Sequence, residues 1–277
     1  MRKIIYTCKI FFAELLQLLV WLLRYRKSSK TEPGSNKGTK VVVFGNGPSA
    51  KDFPYQKYMD LGYDMCCVNF LATDEERFLT LKPKFYCCVD PVFADPVFQR
   101  TEKCQKLIRS LESVDWDMKF ICYRNAHLPI NNPHITFAYI SPNVLPGEMY
   151  GWRKKIYDRN MASCGFQNVG IAAVYYFIMT RAEHVLLTGV ENNWHRELYV
   201  DEKNVVYRID THYYGQEKIN LIEAGEIKQG QLYLYFEWYT TTLKQYANMA
   251  EYAKLSGVPV ENTCLDGYID VFPKVKA

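Results

Sequence analysis

Apolar and polar positions along the chain fall into an alternating series. The runs Val41–Phe44, Asp64–Phe70, Lys84–Val89, Met118–Tyr123, Ile135–Ile140, His184–Val190 and Val260–Cys264 are short and rich in β-branched, aromatic or cysteine residues, and most lack a polar face. That is the pattern of strands buried on both sides. Tyr55–Asp60, Thr101–Leu111, Gln167–Thr180 and Tyr233–Ser256 read as helices, the last stopped by Gly257-Val258-Pro259. Strands and helices in alternation predict an α/β fold, a Rossmann-like doubly wound, mostly parallel sheet. Pro142–Asp158 reads as a basic loop region, and residues 191–231 are polar with few regularities, as expected of a lid insert.

Residues 1–30 are different. An apolar run, Ile10–Leu23, lies between Arg2-Lys3 and Arg24-Tyr25-Arg26-Lys27. As a helix it would reach about 21 Å, short of the roughly 30 Å hydrocarbon core of a bilayer. Glu14 and Gln17 interrupt it, and no small-residue cleavage site follows. The pattern fits an amphipathic helix lying in a membrane interface, with Trp21 and the basic cluster at headgroup level. A helix docked on the domain or on a partner protein would share it. Residues 31–39 read as a linker, which leaves 40–277 as the folded domain.

The chain has 277 residues, and its net charge of +4 is mild and partly N-terminal. It gives no reason to expect nucleic acid and fits an anionic membrane surface better. The 9 cysteines include the neighbours Cys66-Cys67 and Cys87-Cys88 within apolar runs, and no C-x-x-C occurs. Buried reduced thiols are expected, in a cytosolic domain without a zinc site.

Chemistry is expected at the carboxyl ends of the strands. Those ends carry Asn46, Asn69, Asp90 and Gly189-Val190-Glu191. The first belongs to Gly45-Asn46-Gly47-Pro48-Ser49, which reads as strand, tight turn and helix start, an arrangement that suits a phosphate. An ordinary βα turn has the same outline. Gly45, Gly47 and Ala50 also match a G-x-G-x-x-A dinucleotide pattern. That pattern wants an acid at the end of the second strand, where Asn69 stands instead. Pro48 removes a donor from the turn, so a ribose with a single phosphate fits better than a pyrophosphate.

With these residues in place, the chain resembles bacterial sialyltransferases of glycosyltransferase family 42, the Campylobacter lipooligosaccharide type. The resemblance rests on VVVFGNGPS, on CCVNF, on Asn168-Val169-Gly170 before an apolar helix, on Leu187-Thr188-Gly189-Val190-Glu191, and on Thr211-His212-Tyr213-Tyr214-Gly215. It covers about residues 40–264. It implies an inverting, metal-independent transferase with no cofactor beyond its CMP-activated sugar donor. Asn46 and Ser49 would face the donor phosphate or ribose, and Asn69 the ribose or sugar. Asn168, Val169 and Gly170, with Gly189, Val190 and Glu191, would line the cytosine, and Tyr199 would donate to the leaving phosphate. Asp90 stands where the family has Asn. Gln216 stands where the family has its His base.

Removing a proton from an acceptor hydroxyl near neutral pH suits histidine. His212, in the lid, is the candidate, with His195 and Glu237 in reserve. The expected enzyme is a peripheral one on the cytoplasmic face of the inner membrane, moving a sialic acid-like sugar to a surface glycan or lipid-linked saccharide. The aromatic string Tyr233, Tyr235, Phe236, Trp238 and Tyr239 is expected to divide between core and an exposed face for acceptor or a second subunit of a homo-oligomer. Three alternatives remain: the same fold with another nucleotide-activated donor, a pterin diphosphokinase-like enzyme using Asp90 and Asp95, and a non-catalytic scaffold of the glycan pathway.

Overall fold

The apolar runs pair side by side. In the computed structural model, which describes residues 33–277 except 146, 148, 150 and 214, together with 15, 16 and 19, ten strands follow in chain order. They are β1 (Lys40–Phe44), β2 (Tyr63–Val68), β3 (Phe85–Cys87), β4 (Met118–Tyr123), β5 (Ile135–Ile140), β6 (His184–Thr188), β7 (Leu198–Val200), β8 (Val206–His212), β9 (Gly215–Asn220) and β10 (Val260–Asn262). Seven form a parallel sheet in the order β10-β6-β1-β2-β3-β4-β5. Val43 pairs with Cys66 on one side and Leu187 on the other. The chain winds outward from β1 to β5, then returns to set β6 and β10 on the opposite flank of β1. The order therefore reverses between β1 and β6, the place where such sheets bind ligands.

Both faces are covered. Val41 and Val43 face one apolar layer, which includes α6 (Val169–Met179) and part of α7 (Leu232–Ser256). Val42 and Phe44 face the other, with α1 (Tyr55–Asp60), α2 (Glu75–Leu81) and α4 (Glu102–Glu112). Every residue of α6 from Gly170 to Met179 is buried. This explains a helix that is apolar all round rather than striped. All eight cysteines among the described residues are buried free thiols. Burial pushes Cys122 up to about 12.

Several boundaries moved for physical reasons. β2 stops at Val68 because Asn69 takes φ +48°, and β6 stops at Thr188 because Gly189 takes φ +66°. The expected loop Pro142–Asp158 contains α5 (Gly151–Asp158), pinned by buried Arg153 and Tyr157. The region 191–231 is more ordered than its polarity suggests. β7, β8 and β9 form an antiparallel sheet over a small core of Val206, Leu221, Ile227 and Tyr235. Of the stretch read as a linker, Asn36 is buried and donates to the Thr180 hydroxyl at 2.8 Å. Residues 33–39 are thus tied to the end of α6.

The interfacial helix expected over 1–30 lies outside the described residues, apart from Leu15, Leu16 and Leu19, which are helical and exposed. Among the described residues no helix is long and apolar enough to cross a membrane. In the aromatic string Tyr235 is buried, while Tyr233 and Phe236 are exposed.

Candidate active site

A cleft of about 630 Å³ opens at the carboxyl ends of β1, β2, β3 and β6. Of the residues singled out from sequence, Gly45, Asn46, Gly47, Asn69, Asp90, Asn168, Val169, Gly170, Gly189, Val190, Glu191 and His212 line it. Ser49 and Tyr199 do not.

The turn after β1 does a different job from the one expected. Its helix start is a single 3-10 turn, Pro48–Ala50. Three of its backbone donors are already engaged: Gly45 N bonds Thr188 O at 2.8 Å, Gly47 N bonds Gly189 O at 2.9 Å, and Ser49 N bonds Glu191 Oε1 at 2.7 Å. The Glu191 carboxylate thus sits where a phosphate was expected. Ser49 Oγ accepts from Gly189 N at 3.0 Å and lies 3.1 Å from the Cys264 sulfur, which also accepts from Val190 N. Ser49 is a buttress under the cleft rather than a ligand of it. Burial and the nearby Glu191 push the Cys264 thiol up to about 11, so it is an inert member of this lattice. The exits of β1 and β6 touch so closely that a Cβ on Gly45 would overlap the Gly189 carbonyl.

The remaining strand ends are better placed for a ligand. Asn46 and Asn69 each hold a buried Oδ1 with no hydrogen-bond partner. Asp90 is exposed, and its Oδ1 accepts from Val92 N at 3.0 Å. Asn168 caps α6, its Oδ1 accepting from Ile171 N at 3.1 Å and from the Tyr246 hydroxyl at 3.0 Å. The first-turn N–H groups of Val169 and Gly170 have no partner within the helix. Both residues line the cleft. The positive end of α6 is thereby turned toward it.

The lid closes the cleft. His212 ends β8, and the next residue docks on the floor: Tyr213 N bonds Asn46 O at 3.1 Å, while the Arg77 guanidinium lies 4.3 Å from the centre of the Tyr213 ring. Arg77 also donates to Ala50 O at 2.7 Å, tying lid and turn together. Beside His212, the Thr211 hydroxyl donates to Glu197 Oε1 at 2.6 Å. Arg208 grips Asp210 at 2.6 and 2.9 Å and also holds Glu226.

Tyr199 is displaced from its expected role. On β7 its side chain is 38% exposed, stacked on Tyr207 with the Lys218 ammonium over both rings. Gln216 is exposed on the outer strand β9. His195 packs against Tyr239 and Tyr268 outside the lining, where burial and Arg196 hold its pKa below the usual value. Glu237 is exposed on α7. Asp95 caps α3 (Pro96–Gln99) and does not join Asp90 in the lining.

Sequence reasoning missed Tyr123, Val144 and Phe166, an apolar wall in which Tyr123 stacks on Phe166. It also missed Asn192, Glu197, Asp210 and Thr211; Asn193 and Trp194, which stand where the resembled family has a second phosphate-binding tyrosine, do line the cleft. Adjacency to the Gly189–Glu191 strand end was the available signal for Asn192. The described lining contains four carboxylates, one histidine and neither Lys nor Arg. Among the described residues no cluster of three metal-ligating side chains occurs.

No protein-family profile matches the sequence, and no curated protein matches it. Among solved structures, the chain is similar to a mutant of the α-2,3/8-sialyltransferase CstII, at 16% identity over 86% of this chain and 87% of that one, with a TM-score of 0.43. It is also similar to the sialyltransferase CstII from Campylobacter jejuni in complex with cytidine-5'-monophosphate, at 15% identity over 86% and 85% of the chains, with a TM-score of 0.41.

Proposed function

We propose that the protein is a glycosyltransferase that moves a sialic acid-like sugar from a CMP-activated donor to a surface glycan acceptor, by a single displacement that inverts the anomeric carbon. The observation that carries this reading is the convergence of Asn46, Asn69 and His212 on one cleft at the switch point of the sheet. Asn46 and Asn69 offer uncharged acceptors to ribose or sugar hydroxyls. His212, held over the cleft by the lid, takes the proton of the attacking acceptor hydroxyl. The leaving phosphate of a CMP-sugar carries one charge, and the start of α6 at Val169 and Gly170 offers it backbone donors, in place of the exposed Tyr199. The acceptor is a lipid-linked saccharide, and residues 1–30 hold the enzyme on the membrane that carries it.

One observation favours a second reading. Asp90, Glu191, Glu197 and Asp210 give the lining an acidic bias. Like charges placed together are unfavourable, so a donor whose sugar carries no carboxylate would meet less repulsion. Another nucleotide-activated sugar on the same fold answers to this.

The test is His212→Ala in the full chain, assayed with CMP-sialic acid for transfer and with CMP for binding. Binding should persist and transfer should be lost. Transfer by the variant would move the base elsewhere. A wild-type protein that binds CMP but transfers no sugar from CMP-sialic acid, while using a nucleotide donor whose sugar is uncharged, would favour the second reading.

A further inference from the structure

Asn192 has a side chain that the protein itself does not use. The residue is 5% exposed and lines the cleft, and both of its amide atoms, Oδ1 and Nδ2, are buried without a hydrogen-bond partner. Its backbone is committed, at φ +53° with the carbonyl accepting from the Tyr239 hydroxyl at 2.9 Å. A positive φ alone does not explain the residue, because glycine would meet that need as well and would bury no polar atom. An amide left unpaired in a buried site is unfavourable, so its two atoms mark a place built for a ligand group.

An amide presents one donor and one acceptor side by side. Its complement is a flat edge with the same pair reversed. We infer that Asn192 reads the base of the bound nucleotide, accepting from an exocyclic amino group and donating to the ring nitrogen beside it, the edge that cytosine presents. The surroundings choose between an amino and a keto edge. The Glu191 carboxylate, next to Asn192 in the chain and in the lining, adds acceptor lone pairs here, and the described lining holds neither Lys nor Arg. An amino group brings a second hydrogen to such a wall, whereas the O4 of uracil would bring only lone pairs. The inference rests on the nucleotide-donor reading above.

Calorimetric titration of the full chain with CMP, UMP and ribose 5-phosphate tests it, in the wild type, Asn192→Gly and Asn192→Asp. Glycine keeps the positive φ, and neither variant removes a side-chain hydrogen bond that the fold uses. The wild type should bind CMP about tenfold or more tighter than UMP, and Asn192→Gly should weaken CMP by about 10- to 100-fold, the loss of two hydrogen bonds. Ribose 5-phosphate should bind the variant as it binds the wild type. Asn192→Asp, equal in shape but without the donor, should also weaken CMP. CMP binding unchanged in Asn192→Gly overturns the inference while leaving the function standing. An equal loss for ribose 5-phosphate overturns it too, by moving Asn192 to the ribose. A wild type that binds none of the three overturns both.

Discussion

Replacing Tyr213 by Ala should open the lid without unfolding the domain. Tyr213 follows His212 and joins the lid hairpin to the floor of the cleft. Its ring is partly buried against the apolar layer that includes Phe44 and Phe78, with the Arg77 guanidinium 4.3 Å away. The cation–π contact is worth about 1 kcal/mol. Partial burial of the ring adds about 1–2 kcal/mol. The bond from Tyr213 N to Asn46 O survives the substitution. A loss of about 2–3 kcal/mol makes the open hairpin roughly 30- to 150-fold more populated. Amide hydrogen exchange reads this directly, with β8 and β9 accelerated and β1 to β6 as the internal reference. Tyr213→Phe keeps the ring and loses only the hydroxyl's interaction with Asp74, so it should accelerate hairpin exchange far less than Tyr213→Ala. Hairpin exchange that is unchanged in Tyr213→Ala, or acceleration spread evenly through the parallel sheet, would show that Tyr213 does not hold the hairpin down.

Gly45→Ala should destabilise the fold by about 3 kcal/mol or more in denaturant unfolding, because the new Cβ meets the Gly189 backbone and not a movable side chain. Burial works against the charge on Asp158, yet hydrogen bonds from Lys154, Tyr252 and Arg181 outweigh it and hold the carboxyl below its ordinary value. That lowered pKa contributes stability at neutral pH which is lost as pH falls below about 4. Asp158→Asn should therefore be less stable at pH 7, by about 1–2 kcal/mol, and should lose less stability on acidification. Thermal unfolding across pH 2–7 checks both. Deleting residues 1–30 should abolish sedimentation with anionic vesicles and leave thermal unfolding of the domain unchanged.

The sheet was legible because strands buried on both faces are unbroken apolar runs. Met118–Tyr123 and Ile135–Ile140 kept the very limits their composition suggested. The lid strands were not legible. β8 reads Val-Tyr-Arg-Ile-Asp-Thr-His, and its charges look like loop until Arg208 is seen to be held by Asp210 and Glu226. The cleft was legible by position, since strand ends on the carboxyl side converge. The chemistry of the first turn was not. Local geometry suggested an anion site, and the anion is the protein's own Glu191, supplied 142 residues further along the chain than Ser49. Tyr199 failed for a simpler reason: β7 is a short strand at the rim of the lid sheet, exposed at both Tyr199 and Val200.

Under the proposed function, the cleft holds the nucleotide of a CMP-activated donor between Asn46 and Asn69. Calorimetric titration of the full chain with CMP tests it, against a variant carrying Asn46→Ala and Asn69→Gly, the glycine preserving the positive φ at 69. The wild type should show saturable one-to-one binding, weakened about tenfold or more in the variant. Absence of binding by the wild type, or equal affinity in both proteins, would contradict it.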